Sequence, residues 1–128
     1  MKHDSNEAAC GYMIWMCRRL AQNGLPIVPF CWSNLSHCEA SPDIGFFSAV
    51  HYLVLAPNAE VQEKRLRGRS PKLREEPESE EFIAMSLAAT EILVGEAESL
   101  SNAAVLETST LTVDQTVSEV HRWILERL

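Results

Sequence analysis

The sequence predicts an α/β domain built on a parallel sheet, and three observations carry that prediction. Ala49 to Ala56, reading AVHYLVLA, is almost continuously apolar, the pattern of a strand covered on both faces by helices. Ala103 to Leu106 is a second short apolar run of strand length. Amphipathic helical segments separate and follow these runs, and strands alternating with helices fit a parallel sheet with helical layers.

The elements follow in order. Asp4 and Glu7 make a helix entry, Met13, Met16, Cys17 and Leu20 recur at helical spacing, and Asn23-Gly24 supplies a left-handed stop, so a helix is predicted over about 5–23. Leu25 to Trp32 has strand length and composition, although Pro29 removes a ladder donor and pushes it towards a sheet edge. Residues 33–47 carry Ser, Asn, Pro, Asp and Gly with little periodicity and read as a loop, long for a compact domain.

After the strand at 49–56, Asn58 caps a helix in which Glu60 faces Lys64 and Glu63 faces Arg67, ending near Gly68 to Pro71. Ser79 opens a further helix over 79–94, with Phe82, Met85, Ala89, Ile92 and Leu93 as its buried stripe. Thr112 with Gln115 matches a capping box, and Val113, Val117, Val120 and Ile124 repeat on one face of the last helix.

The expectation is therefore a single domain over 1–128 with about three parallel strands and four helices. Three strands are few for four amphipathic helices, so some apolar surface is expected to face a partner or a further segment.

Composition narrows the function classes. A net charge of −7 disfavours a nucleic-acid polymer or an anionic membrane as partner, since both call for a surplus of Lys and Arg. No apolar run approaches the roughly 20 residues that span a bilayer. Cys10, Cys17, Cys31 and Cys38 form no CxxC pair and no secretory leader is evident, so reduced thiols and a cytoplasmic location are expected. Lys64, Arg65, Arg67, Arg69, Lys72 and Arg74 crowd together, followed by Glu75, Glu76, Glu78, Glu80 and Glu81, making 64–81 a charged hinge. Such a block is either self-neutralising or an anion-binding arm.

Four stretches in order resemble a bacterial group of P-loop nucleoside/nucleotide-kinase-like proteins, often labelled AAA-family ATPases. They are Leu20-Ala21-Gln22-Asn23-Gly24-Leu25-Pro26-Ile27-Val28, the aromatic-rich run Phe46 to Leu55, Arg65-Leu66-Arg67-Gly68-Arg69-Ser70-Pro71, and Glu107-Thr108-Ser109 with Val120-His121-Arg122-Trp123-Ile124. The resemblance covers the C-terminal two-thirds of such a protein. It implies a partial P-loop kinase-like three-layer α/β/α fold whose first strand, phosphate loop and following helix would precede the part seen here. That strand would lie between those at 25–32 and 49–56. The sequence contains no GxxxxGK[ST], the loop that cradles nucleotide phosphates.

By the same resemblance, Arg65, Arg69 and Arg74 belong to a lid that closes on nucleotide, whereas Arg67 pairs with Glu63. ATP and Mg²⁺ are the cofactors implied for intact relatives, with none for this chain alone. Phosphoryl transfer needs backbone donors, a Lys, a held metal and mobile arginines, and of these only the arginines are present. No catalytic residue is therefore assigned, and nucleotide remains a weak candidate ligand. The alternative is a non-catalytic interaction module, or a truncated remnant, that self-associates through helix faces or a sheet edge.

Two other groupings share residue types with known sites. Cys31, His37, Cys38 and His51 match no zinc spacing, and Asp43, Ser48 and His51 lack a nucleophile elbow, so neither a metal site nor a triad is assigned. Tyr12, Met13, Trp15 and Met16 suit either core packing or a partner stripe.

Overall fold

The computed structural model describes residues 2–30, 33–69 and 78–128. Its sheet consists of two parallel strands, β1 (Tyr52–Ala56) and β2 (Ala103–Glu107), in the register Tyr52↔Ala103 to Ala56↔Glu107. Parallel neighbours require a crossover. Among the described residues it contains two helices, α3 (Ala59–Arg67) and α4 (Glu80–Ser99). Before the sheet come α1 (Lys2–Leu20), extended by a 3₁₀ turn over Ala21–Asn23, and the short α2 (Leu35–Glu39). A 3₁₀ turn at Ile44–Phe46 follows α2, and α5 (Val113–Leu125) ends the chain. The mixed α/β class is as predicted.

Strand alternation sorts the sheet into two faces. Val54 and Ala56 are buried with Leu35 of α2 and Ala97 of α4, and Tyr52, Leu93, Val94, Leu100 and Ala103 pack around them. A second cluster, Cys10, Ile14 and Cys38, joins α1 to α2 with Met13, Ile44 and Phe47, and Tyr52 touches both clusters. On the other face, Leu53, Ala104 and Leu106 look towards α5, leaving an open cleft of about 120 Å³ beside Arg122 and Trp123.

Three predicted helix ends hold, whereas α1 already begins at Lys2, ahead of the predicted Asp4 entry, and α4 runs on to Ser99, past the predicted 94. Gly24, at φ 78°, takes the left-handed conformation that stops the first helix, and its N–H bonds the Ala21 carbonyl. Asn58 caps α3 by accepting from the Val61 N–H at 2.9 Å. Thr112 and Gln115 close both halves of the capping box, at 2.9 and 3.1 Å.

Other expectations are corrected. Among the described residues there are two strands rather than three, and five α-helices rather than four. Residues 25–30 form no strand: Pro26 and Pro29 each lack a ladder donor, and the segment leaves Phe30 86% exposed. The strand expected over 49–56 starts only at Tyr52. The predicted loop at 33–47 contains α2, because Glu96 of α4 accepts hydrogen bonds from the N–H groups of Leu35 and Ser36 at 3.2 and 2.8 Å.

The buried seam of α4 also differs from the predicted stripe. It runs through Ile83, Ser86, Thr90, Leu93, Val94 and Ala97, whereas Met85 and Ile92 are exposed. Polar residues sit in that seam because Gln62 of α3 donates to the Ser86 carbonyl and to Thr90 Oγ1, at 3.3 and 2.8 Å. In α1 the inward face is Cys10, Ile14 and Cys17, while Tyr12, Trp15 and Met16 face outward and Arg19 lies over the Trp15 ring.

Candidate functional site

In open α/β sheets ligands meet the carboxyl ends of the strands, where the chain turns into the next helix. Here those ends are Ala56 to Asn58 after β1 and Glu107 to Thr112 after β2, with the N-termini of α3 and α5 immediately beyond. The two turns are bound to each other. The Asn58 N–H donates to Ser109 Oγ at 2.7 Å, and the Thr108 N–H donates to the Ala56 carbonyl at 3.3 Å. The Ser109 N–H donates to Glu107 Oε1 at 2.7 Å, and the Ser109 hydroxyl donates to the same oxygen.

Arg65 reaches this junction from two residues before the end of α3. Its Nη2 donates to the Thr108 carbonyl at 2.9 Å and to that of Ser109 at 3.5 Å, and Nη1 meets Thr108 Oγ1 at 3.4 Å. Thr108 is itself buried. The β2 turn thereby engages both terminal nitrogens of the Arg65 guanidinium. The Asn58 N–H, the backbone donor after β1, is likewise already engaged.

The other lid candidates lie elsewhere. Arg69 pairs with Glu78 at 3.4 Å, and Arg74 lies outside the described residues. Arg67 does pair with Glu63, at 2.8 Å, as the spacing predicts, and also grips Glu80 at the start of α4, closing the ends of the charged segment together. Both bonds push the Arg67 guanidinium pKa up, that to Glu80 most, and the bond from Arg67 holds the Glu80 carboxyl below its ordinary value. Arg65 is thus the lid candidate at the strand ends, while Arg69 is turned to a carboxylate of its own segment.

The hydrogen bond from the Ser109 hydroxyl, then that from its N–H, holds the Glu107 carboxyl below its ordinary 4.5, with Arg65 adding a smaller charge effect. A depressed folded-state pKa contributes stability above the unfolded value, and that contribution is lost as pH falls through the folded value. Ser109→Ala is expected to return the Glu107 titration towards 4.5 and to remove this part of the acid sensitivity, read by NMR titration of the carboxyl carbon. The strand-end junction is the element expected to loosen as pH drops below 4.5.

The remaining groupings do not assemble. No cluster of three or more His, Cys, Asp or Glu among the described residues could hold a metal, and Cys31 lies outside them. Asp43 pairs with Arg18 at 2.8 Å, while His51 meets the Trp123 ring edge-on, with centroids 6.3 Å apart. No hydrogen bond among the described residues joins Asp43, Ser48 and His51. No helix among the described residues is long and apolar enough to cross a membrane.

The sequence reading missed the roles of Asn58 and Ser109 at the junction. Their signal was present, since a polar residue directly after a predicted strand and before a capped helix is where such turns meet. These observations define the class: an α/β chain whose parallel strands end in a self-bonded polar junction carrying one arginine. Comparison with protein-family models, curated proteins and solved structures found no match to this chain.

Proposed function

We propose that this chain is a P-loop nucleoside/nucleotide-kinase-like α/β unit that carries no phosphoryl transfer of its own. The carrying observation is the occupancy of the strand-end donors: the Asn58 N–H is taken by Ser109 Oγ, and Arg65 by the Thr108 and Ser109 carbonyls. A phosphate-transferring site needs such groups aimed at the ligand, together with a loop of backbone N–H groups and a lysine, and the sequence contains no GxxxxGK[ST]. ATP and Mg²⁺ belong to the intact relatives that the resemblance implies. The purified chain, incubated with Mg²⁺-ATP and a panel of nucleosides and nucleoside monophosphates, is expected to yield no phosphorylated product. Transfer above the protein-free control, abolished by EDTA, overturns the reading.

A second reading, an interaction module, is favoured by the edge of the sheet. Among the described residues β1 pairs with β2 alone, so its other edge has no strand beside it, and elsewhere the 25–30 segment and the outer face of α1 expose Phe30, Leu25, Tyr12 and Leu20. Such an edge accepts an added strand. A concentration-dependent mass in sedimentation supports this reading, and a monomer at every concentration removes it.

A further inference from the structure

Cys10 lies in the middle of α1 and Cys38 in α2, 28 residues apart in sequence, yet both are almost wholly buried, at 1% and 2% exposure, and their sulfurs are 3.1 Å apart. A disulfide bond is about 2.05 Å long, so the two sulfurs need to approach by only about 1 Å. No sequence spacing reveals the pair, because the packing of α1 on α2 brings the thiols together.

We infer that Cys10 and Cys38 form a reversible thiol–disulfide couple that clamps α1 to the body of the protein. Their position gives the bond mechanical meaning. The inner face of α1 rests on α2 through Cys10, Ile14 and Cys38, with Met13, Ile44, Phe47 and Tyr52 around them. Its C-terminal end is tied separately, by Arg18 to Asp43 at 2.8 Å and over the Phe46 ring. In the thiol form these contacts of α1 are all reversible. In the disulfide form the chain from Cys10 to Cys38 closes into a covalent loop, and α1 cannot leave α2. That loop encloses the exposed 25–30 segment and the Tyr12, Trp15 and Met16 face, so the couple sets how freely this surface can rearrange.

The oxidant is a peroxide. One thiolate attacks a peroxide oxygen, the O–O bond breaks, and a sulfenic acid and water result. The sulfur of the second thiol then attacks the sulfenic sulfur, the S–O bond breaks, and a second water leaves as the S–S bond forms. Two electrons pass from the sulfurs to the peroxide, and the two thiol protons leave in the waters. A small dithiol reverses the step by exchange through a mixed disulfide. Because both sulfurs are buried, the peroxide enters when α1 lifts from α2, so oxidation traps α1 after it closes again.

The test uses the whole chain, reduced and then treated with hydrogen peroxide under non-denaturing conditions. Intact mass is expected to fall by about 2 Da, the loss of two hydrogens on disulfide formation. Non-reducing peptide mapping is expected to join the Cys10 and Cys38 peptides, and dithiothreitol to restore the mass. Thermal unfolding of the oxidised form is expected to rise on the order of 10 °C above the reduced form, the scale for closing a loop of this length in a domain of this size. Cys17→Ser keeps both responses, whereas Cys10→Ser and Cys38→Ser lose them. The map of the wild-type chain is decisive even where a serine variant fails to fold. Linkage of either residue to Cys17 or Cys31, sulfinic acid without linkage, or a Cys10–Cys38 bond that leaves the unfolding temperature unchanged overturns the inference.

Discussion

Leu35→Ala is expected to destabilise the fold by about 3 kcal/mol, the middle of the range for removing a buried leucine side chain. Leu35 is 5% exposed and belongs to the same buried cluster as Val54, Ala56 and Ala97, so truncation opens a cavity where α2, the sheet and α4 meet. The surroundings have little freedom to fill it, since two of the other three buried members are alanines. In thermal unfolding the loss corresponds to roughly 10 °C for a domain of this size. Val117→Ala, at a position 61% exposed on α5, serves as the control and is expected to stay within about 0.5 kcal/mol of the parent. Equal effects at the two positions would show that the sheet and α4 do not form the main core.

The parts of this fold that local chemistry specifies were legible in the sequence. The Thr112–Gln115 capping box, the Asn58 cap and the Gly24 stop each rest on residues within one turn, and each is present in the structure. The apolar run ending at Ala56 likewise announced a strand. What was not legible depends on partners distant in sequence. The 25–30 run has strand composition but, among the described residues, no strand pairs with it, and composition cannot supply a neighbour. The α4 stripe was misread because its seam carries Ser86 and Thr90, which hydropathy places outside, while Gln62 draws them in. The inward face of α1 was legible in part: of Met13, Met16, Cys17 and Leu20, Cys17 is buried and Met13 packs on the α1–α2 cluster, whereas Met16 and Leu20 are exposed and Cys10 and Ile14 complete the face.

The site follows the same division. Pairing of Arg67 with Glu63 could be read from a four-residue spacing, and it is there. The separate fates of Arg65 and Arg69 could not, because they depend on whether the β2 turn or a carboxylate of the charged segment lies within reach. Arg65 is one helical turn nearer the sheet and finds the Thr108 carbonyl, whereas Arg69 lies past the end of α3 and finds Glu78. Two arginines four residues apart in sequence, Arg65 and Arg69, therefore face different partners. The proposal that the chain carries no phosphoryl transfer rests on that dispersal as much as on the absent GxxxxGK[ST] motif.

The clearest case of long-range control is α2, and it supplies the second large expected effect. Five residues are too few for a helix to persist alone in water. The Asn34 side chain makes no capping bond, so nothing local holds the first turn. Glu96, about sixty residues later, does so instead by accepting from the Leu35 and Ser36 N–H groups. A carboxylate at a helix N-terminus also meets the positive end of the backbone dipoles. Glu96→Ala removes both acceptors and is expected to cost about 2 kcal/mol, the scale of hydrogen bonds to a charged group. Glu96→Gln keeps one acceptor oxygen without the charge and is expected to lose about half of that. Because α2 carries both Leu35 and Cys38, the damage should spread in a set order. Amide hydrogen exchange in Glu96→Ala is expected to accelerate first across 35–39 and then along the part of α1 that packs on Cys38, while the β1–β2 pairing keeps its protection. Loss of protection in β2 before α2 would mean that Glu96 supports α4 itself rather than capping α2 across the fold.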